Sequence, residues 1–305
     1  MVLVQDSNGQ AFALCLARAM LIRISVFYFL FFCGTLLADQ NCSAANDDKI
    51  IVVVSPQKTG THLITKALSI LLNKKVIHWW SDDLPDQKLR DMLMTCKDGN
   101  VFLHTHAYPL PHILKLLEEV DAKVIFLMRD PRDQIVSLMY WVKEKNWPGG
   151  PDPLIRATQH YSQDELLYEL ITGENFGVSY TKTLIGCRLP WMDQPFVYTT
   201  YFEKLVGEKG GGDFDSQCQE LKVIMSFLGQ EQPDHIINEC AENLFGGDDS
   251  WTFRQGLIGS WKWHFNQKHV EAFKKIFGQE LISLGYESDF NWSSNQTSNW
   301  EQKKT

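Results

Sequence analysis

Residues 50–73 read IIVVVSPQKTGTHLITKALSILLN, and this stretch decides the fold. An unbroken apolar run opens it, and Leu63, Ile64, Ala67, Leu68, Leu71 and Leu72 then recur at the spacing of one helical face. Between the two patterns lie a lysine, a glycine and two threonines, so a strand, a tight loop and an amphipathic helix follow in direct succession. The loop brings a cation, a flexible residue and hydroxyls to the start of a helix, where backbone N–H groups favour an anion. It is not the Walker pattern, because GxxxxGK is absent and the lysine precedes the glycine. On this motif alone, a structural turn with an incidental lysine is an equal alternative.

The same alternation continues outward. NVFLHTH (100–106), AKVIFLMR (122–129) and FVYTTYF (196–202) read as further strands. The near-continuous apolar run of the second of these is that of a parallel sheet buried on both faces. PHILKLLEEV (111–120), DPRDQIVSLMYWVKE (130–144), SQCQELKVIMSFLG (216–229), HIINECAENLF (235–245) and NQKHVEAFKKIFGQELISLGY (266–286) read as helices. Asp130 is a natural N-cap and Pro131 a natural first helical residue. Strands alternating with helices predict an α/β fold, a parallel sheet flanked by helices. The Gly- and Pro-rich stretch WVKEKNWPGGPDP (141–153) reads as a loop over the site.

Ligands bind beyond the carboxyl ends of such strands. Three polar clusters lie there: Lys58-Thr59-Gly60-Thr61, the pair His104 and His106, and Arg129 with Ser137 in the helix that follows. Taken singly, the histidines read first as structural groups and Arg129 as a surface residue. A phosphate ligand accounts better for a fork-shaped donor at that point.

Together these clusters resemble the sulfotransferase superfamily. PQKTGT is similar to that family's P-loop-like 5′-phosphosulfate loop, RDPRDQIVS to its 3′-phosphate motif, and THAYPL to the segment with its catalytic histidine. FRQGLIGSWKWHF (253–265) is similar to a C-terminal segment that places Arg254 and Gly256 near the 3′-phosphate. The resemblance covers residues 50–286. It implies 3′-phosphoadenosine 5′-phosphosulfate (PAPS) as co-substrate, no metal, and a small-molecule or glycan acceptor with a hydroxyl or amine. It implies His106 and Lys58 as catalytic groups. Lys58, Thr59, Gly60, Thr61, Arg129, Ser137, Arg254 and Gly256 would bind the donor. His104 reads as core, with a secondary contribution as the alternative. Three positions depart from the family pattern: His62 stands for a loop threonine, Gln255 for a lysine, and Phe202 for a tyrosine unless Tyr201 shifts into its place. Trp79, Trp80, Tyr108, Trp141 and Trp147 are candidates for an apolar acceptor pocket, or ordinary core. The rival readings are a P-loop kinase using ATP and an inactive anion-binding protein of the same fold.

The 305 residues are 44% hydrophobic and 22% charged, as in an ordinary globular protein, and carry a formal charge of −8. That balance argues against nucleic acid as a partner. At the N-terminus, Arg18 and Arg23 precede the uncharged run ISVFYFLFFCGTLLA (24–38). This predicts a signal peptide or signal anchor over 1–38, a linker over 39–49, a sulfotransferase domain over 50–290 and a polar tail over 291–305. A retained anchor would attach the chain to a membrane, and the expected location is the secretory pathway, with the cytoplasm as alternative. The sequons at Asn41, Asn291 and Asn295 fit a secretory route. Seven cysteines show no CxxC spacing, which speaks against zinc. An oxidising lumen would permit one disulfide, Cys218–Cys240, and core thiols are the alternative.

Overall fold

The computed structural model describes residues 4–5, 11–12, 49–79, 86–144, 158, 160–246 and 254–295. The chain divides into two units, Met1–Asp47 and Asp48–Thr305. In the first, β1 (Val4–Gln5) and β2 (Ala11–Phe12) pair antiparallel. The rest of the segment expected as a leader over residues 1–38, including its apolar run at 24–38, Trp80, Trp147 and the tail beyond residue 295 lie outside the described residues. Among the described residues, no helix is long and apolar enough to cross a membrane.

The second unit is built on five parallel strands: β3 (Ile51–Val54), β4 (Lys75–Trp79), β5 (Val101–Thr105), β6 (Lys123–Met128) and β7 (Val197–Tyr201). Their order is β4–β5–β3–β6–β7. The α/β expectation of a parallel sheet flanked by helices therefore holds. The sheet has one strand more than the sequence reading found, because KVIHW is a half-exposed edge strand without a continuous apolar run. Central β3 pairs with β5 on one side and β6 on the other, Val54 standing opposite both Thr105 and Phe126. The three strands that carry the polar clusters therefore end side by side.

Helices α1 (Thr61–Leu72), α2 (Asp86–Asp98), α3 (Pro111–Glu119), α4 (Pro131–Glu144), α5 (Gln163–Thr172), α6 (Phe202–Leu205), α7 (Phe214–Phe227), α8 (Asp234–Glu242) and α9 (Gln267–Ser283) surround the sheet. Alternate residues of a strand face opposite ways. Val52 and Val54 therefore pack with α2, α3, α4, α5 and α9, while Ile51 and Val53 pack with α1, α7 and α8. Asp130 caps α4 as its sequence suggests, accepting from the Arg132 backbone N–H at 2.9 Å. Asn266 and His269 close a capping box on α9.

Cys218 and Cys240 are buried free thiols of the second core, so the core-thiol alternative describes them and the disulfide does not. Trp292, which the sequence reading assigned to the polar tail, is buried and packs edge-on to Trp261, their ring centroids 5.5 Å apart. Trp79 is likewise a core residue.

Candidate active site

The chain leaves β3 at Ser55 and enters α1 at Thr61. Lys58 and Gly60 both take positive φ, 69° and 105°, which turns the loop tightly enough to reach the helix. Gly60 is the N-cap of α1 and supplies no side-chain cap. Its missing Cβ matters: an added one would lie 2.6 Å from the ring of Phe202. Within the loop, the buried Thr59 hydroxyl donates to the Pro56 carbonyl at 2.8 Å. Gln134 on α4 donates to the Gln57 carbonyl at 2.6 Å. Lys58 stands half-exposed at the turn.

Ser55, fully buried, joins the loop to the histidines. Its Oγ lies 2.8 Å from Thr61 Oγ1 and 3.0 Å from His104 Nε2. Its carbonyl lies 2.6 Å from His106 Nδ1. A carbonyl only accepts, so Nδ1 of His106 donates and the lone pair of the neutral ring sits on Nε2. Burial lowers His106 to about 4, against the Ser55 carbonyl, which favours the charged ring; Arg188, His78 and His62 add to the fall. The ring is therefore neutral at physiological pH. Arg188 donates from Nε to the His106 carbonyl at 2.7 Å and stacks 3.9 Å from the ring centroid of Tyr108. Trp191 donates to the Ala107 carbonyl at 3.1 Å. Both come from the 3-10 segment Gly186–Asp193, which directly follows the π turn Thr181–Ile185.

Arg129, at the end of β6, spans two parts of the site. One Nη donates to the Lys58 carbonyl at 3.2 Å and the other to the Leu257 carbonyl at 3.0 Å. The guanidinium lies 4.3 Å from the Phe202 ring centroid, so that ring supplies a stacking platform. Its Nε is buried without a partner. An orphaned, charged donor beside an uncapped helix start suits an anion, so these residues fit a phosphate-bearing co-substrate.

The C-terminal motif is held in place by α4. Asp133 accepts from Gly259 N at 2.7 Å, Ser260 Oγ at 2.9 Å and Trp261 N at 2.8 Å. His264 accepts from the Tyr140 hydroxyl at 3.0 Å, and Arg254 lies 3.6 Å from the Tyr140 ring centroid. Tyr140 follows Ser137 by three positions on α4, which brings Arg254 to the helix face of half-exposed Ser137. Gly256 takes a φ of 61° in the same segment. Burial lowers the proton affinity of Arg254 and the charge of Arg129 acts in the same direction, while Tyr140 and Glu144 oppose it. Arg132, in the RDPRDQIVS motif at the start of α4, is structural, held between Trp261 and Trp292 and paired with Asp130 and Glu287.

Lys58, Thr59, Gly60, Thr61, His106 and Arg129 thus meet at one edge of the sheet; Arg129 ties that edge to the Leu257 carbonyl beside Gly256, while Arg254 lies against Tyr140 on α4, the helix that carries Ser137. His62 and Gln255, at positions that depart from the family pattern, are exposed. The sequence reading missed Ser55, Asp133 and Arg188, although an Asp three residues into a helix after RDP is a visible clue. Among the described residues, no group of three or more His, Cys, Asp or Glu could hold a metal ion.

Residues 47–285 match the family model described as Sulfotransferase domain. A 3-beta-hydroxysteroid sulfotransferase of Cavia porcellus is 24% identical over 262 residues, covering 77% of this chain and 84% of that protein. Sulfotransferase 2A1 of Rattus norvegicus is 23% identical, covering 80% of this chain and 88% of that one. The crystal structure of mouse sulfotransferase SULT7A1 complexed with PAP shares the fold, with a TM-score of 0.57 and 18% identity over 78% of this chain and 87% of that one.

Proposed function

The chain belongs to the sulfotransferase domain family, and from that premise we propose that it moves a sulfuryl group from PAPS to a hydroxyl or amine of a small-molecule acceptor. One observation carries this reading: the Ser55 carbonyl orients His106 while the Lys58 carbonyl receives Arg129, which brings a base, a loop cation and an anion-binding fork to one strand edge. The PAP complexed with the mouse sulfotransferase supports the choice of donor.

When bound, the donor supplies a sulfuryl group whose bond to the 5′-phosphate breaks as one to the acceptor oxygen or nitrogen forms. Nε2 of His106 takes the acceptor's proton as general base. Lys58 offsets the negative charge that grows on the departing phosphate. Thr59, Gly60 and Thr61 hold the 5′-phosphate at the start of α1, and Arg129, Ser137, Arg254 and Gly256 hold the 3′-phosphate. Positioning and electrostatics supply the rate enhancement in this kind of group transfer.

The relative named for a hydroxysteroid supports a small apolar alcohol as acceptor. Tyr108, half-buried three residues after the end of β5, is the described aromatic that would face it, whereas Trp141 lies in the last turn of α4 and packs against the core. The signal peptide or anchor expected over residues 1–38, with its uncharged run at 24–38, supports delivery to the secretory pathway, which microscopy of a C-terminal fluorescent fusion tests.

Transfer from labelled PAPS to a panel of steroids, phenols, amines and glycans tests the reading. His106→Ala should lose about 10²–10⁴ of turnover while calorimetry records nearly unchanged affinity for PAP. Turnover without PAPS, or preference for ATP with Mg²⁺, would overturn it.

A further inference from the structure

His78, His104, Ser55 and Thr61 form one chain of hydrogen bonds from edge strand β4 to the first residue of α1. His78 Nδ1 lies 3.1 Å from His104 Nδ1, His104 Nε2 lies 3.0 Å from Ser55 Oγ, and Ser55 Oγ lies 2.8 Å from Thr61 Oγ1. His104 and Ser55 are fully buried and Thr61 nearly so. Burial lowers both imidazoles, His104 well below the ordinary range, so each ring is neutral near pH 7 and carries one proton.

Each link joins groups that can donate or accept, so the chain has two polarities with the same number of protons. In the first, His104 donates from Nδ1 to His78, Ser55 donates to His104 Nε2, and Thr61 donates to Ser55. In the second, His78 donates from Nδ1 to His104, His104 donates from Nε2 to Ser55, and Ser55 donates to Thr61. Only the second leaves the Thr61 proton available to another acceptor. A phosphate oxygen offers lone pairs, so an anion at the start of α1 selects the second polarity.

We propose that this chain orients the Thr61 hydroxyl as a donor to the phosphate of the bound nucleotide, with His104 and His78 as positioning residues. The inference rests on reading the loop as the 5′-phosphate site.

The test is ¹⁵N NMR of the full chain labelled at histidine and titrated with PAP, with calorimetry in parallel. At saturation His104 should carry its proton on Nε2 and His78 on Nδ1, and in Thr61→Val the ligand should no longer select these tautomers. His104→Leu, which fills the space without a donor, should bind PAP about tenfold more weakly. His104→Gln, whose amide can donate to Ser55, should recover most of that loss. A residue needed only for packing would show the reverse order. If neither His104 variant folds, the wild-type and Thr61→Val spectra decide the matter. PAP binding with His104 protonated on Nδ1, or with Leu at position 104 as good as Gln, overturns the relay alone. No PAP binding at all overturns the reading of the loop, and the relay with it.

Discussion

A histidine accepts a proton only while it is neutral, and burial keeps His106 neutral down to about pH 4. The acid limb of kcat/KM should therefore lie near that value, with the rate falling as pH drops through it and Nε2 becomes protonated. A limb near 6.5, the ordinary histidine range, would show that another group is the base. Short assays from pH 4 to 8 with labelled donor measure it. At this scale, the sequence revealed the residues that follow apolar strands, Lys58, His106 and Arg129, because the strand pattern fixes where they emerge. It concealed their supports. Ser55 reaches His106 across 51 positions and Arg188 reaches it across 82, and no local spacing records such a contact. Lys58 in a left-handed conformation was equally hidden, since nothing about a lysine announces a positive φ.

Helix α4 does more than fill one face of the sheet, because its first turn carries the carboxylate that holds residues 259–261. Asp133→Ala would leave the Gly259 and Trp261 amides and the Ser260 hydroxyl without their acceptor in a largely buried setting. Urea unfolding should show a loss of at least about 3 kcal/mol, from several unsatisfied donors at about 1–3 kcal/mol each. Affinity for PAP should fall as well, because Leu257 and Arg254 belong to the segment that is released. A variant with unchanged stability and affinity would mean that other contacts hold the segment. The sequence made α4 legible through Asp130-Pro131 and its apolar spacing. It left β4, α2 and α5 unread. β4 is a half-exposed edge, and α2 and α5 owe their helicity to packing against the core as much as to pattern.

Across the whole molecule, His78, His104, His106, His264 and His269 are all lowered, chiefly by burial. Below about 6.5 the unfolded chain binds protons that the native rings refuse, so stability falls as pH drops from about 6.5. Glu203 acts the other way. Burial raises it to about 7, so the native state holds its proton where the unfolded carboxyl does not, and stability falls as pH rises from the ordinary glutamate range towards 7. The histidines outnumber it. Between pH 7 and 5 the protein should therefore lose stability as pH falls. Denaturant unfolding at a series of pH values checks this, and a flat or rising profile would contradict it. Global architecture was legible as alternating strands and helices with a ligand edge. The strand order was not, because crossovers are chosen by which faces pack together, and that choice leaves no mark on any single segment.

Arg129 joins the carbonyl of Lys58, early in the second unit, to that of Leu257, near its end. A ribosome extending the chain in order delivers the loop, the histidines and Arg129 long before it delivers residue 257. Until then the guanidinium fork and the Asp133 carboxylate lack their C-terminal partners. The candidate donor site is therefore completed only late in synthesis. A nascent chain stopped short of residue 254 would carry both candidate catalytic groups, Lys58 and His106, and still lack the grip on the donor that would make them an enzyme.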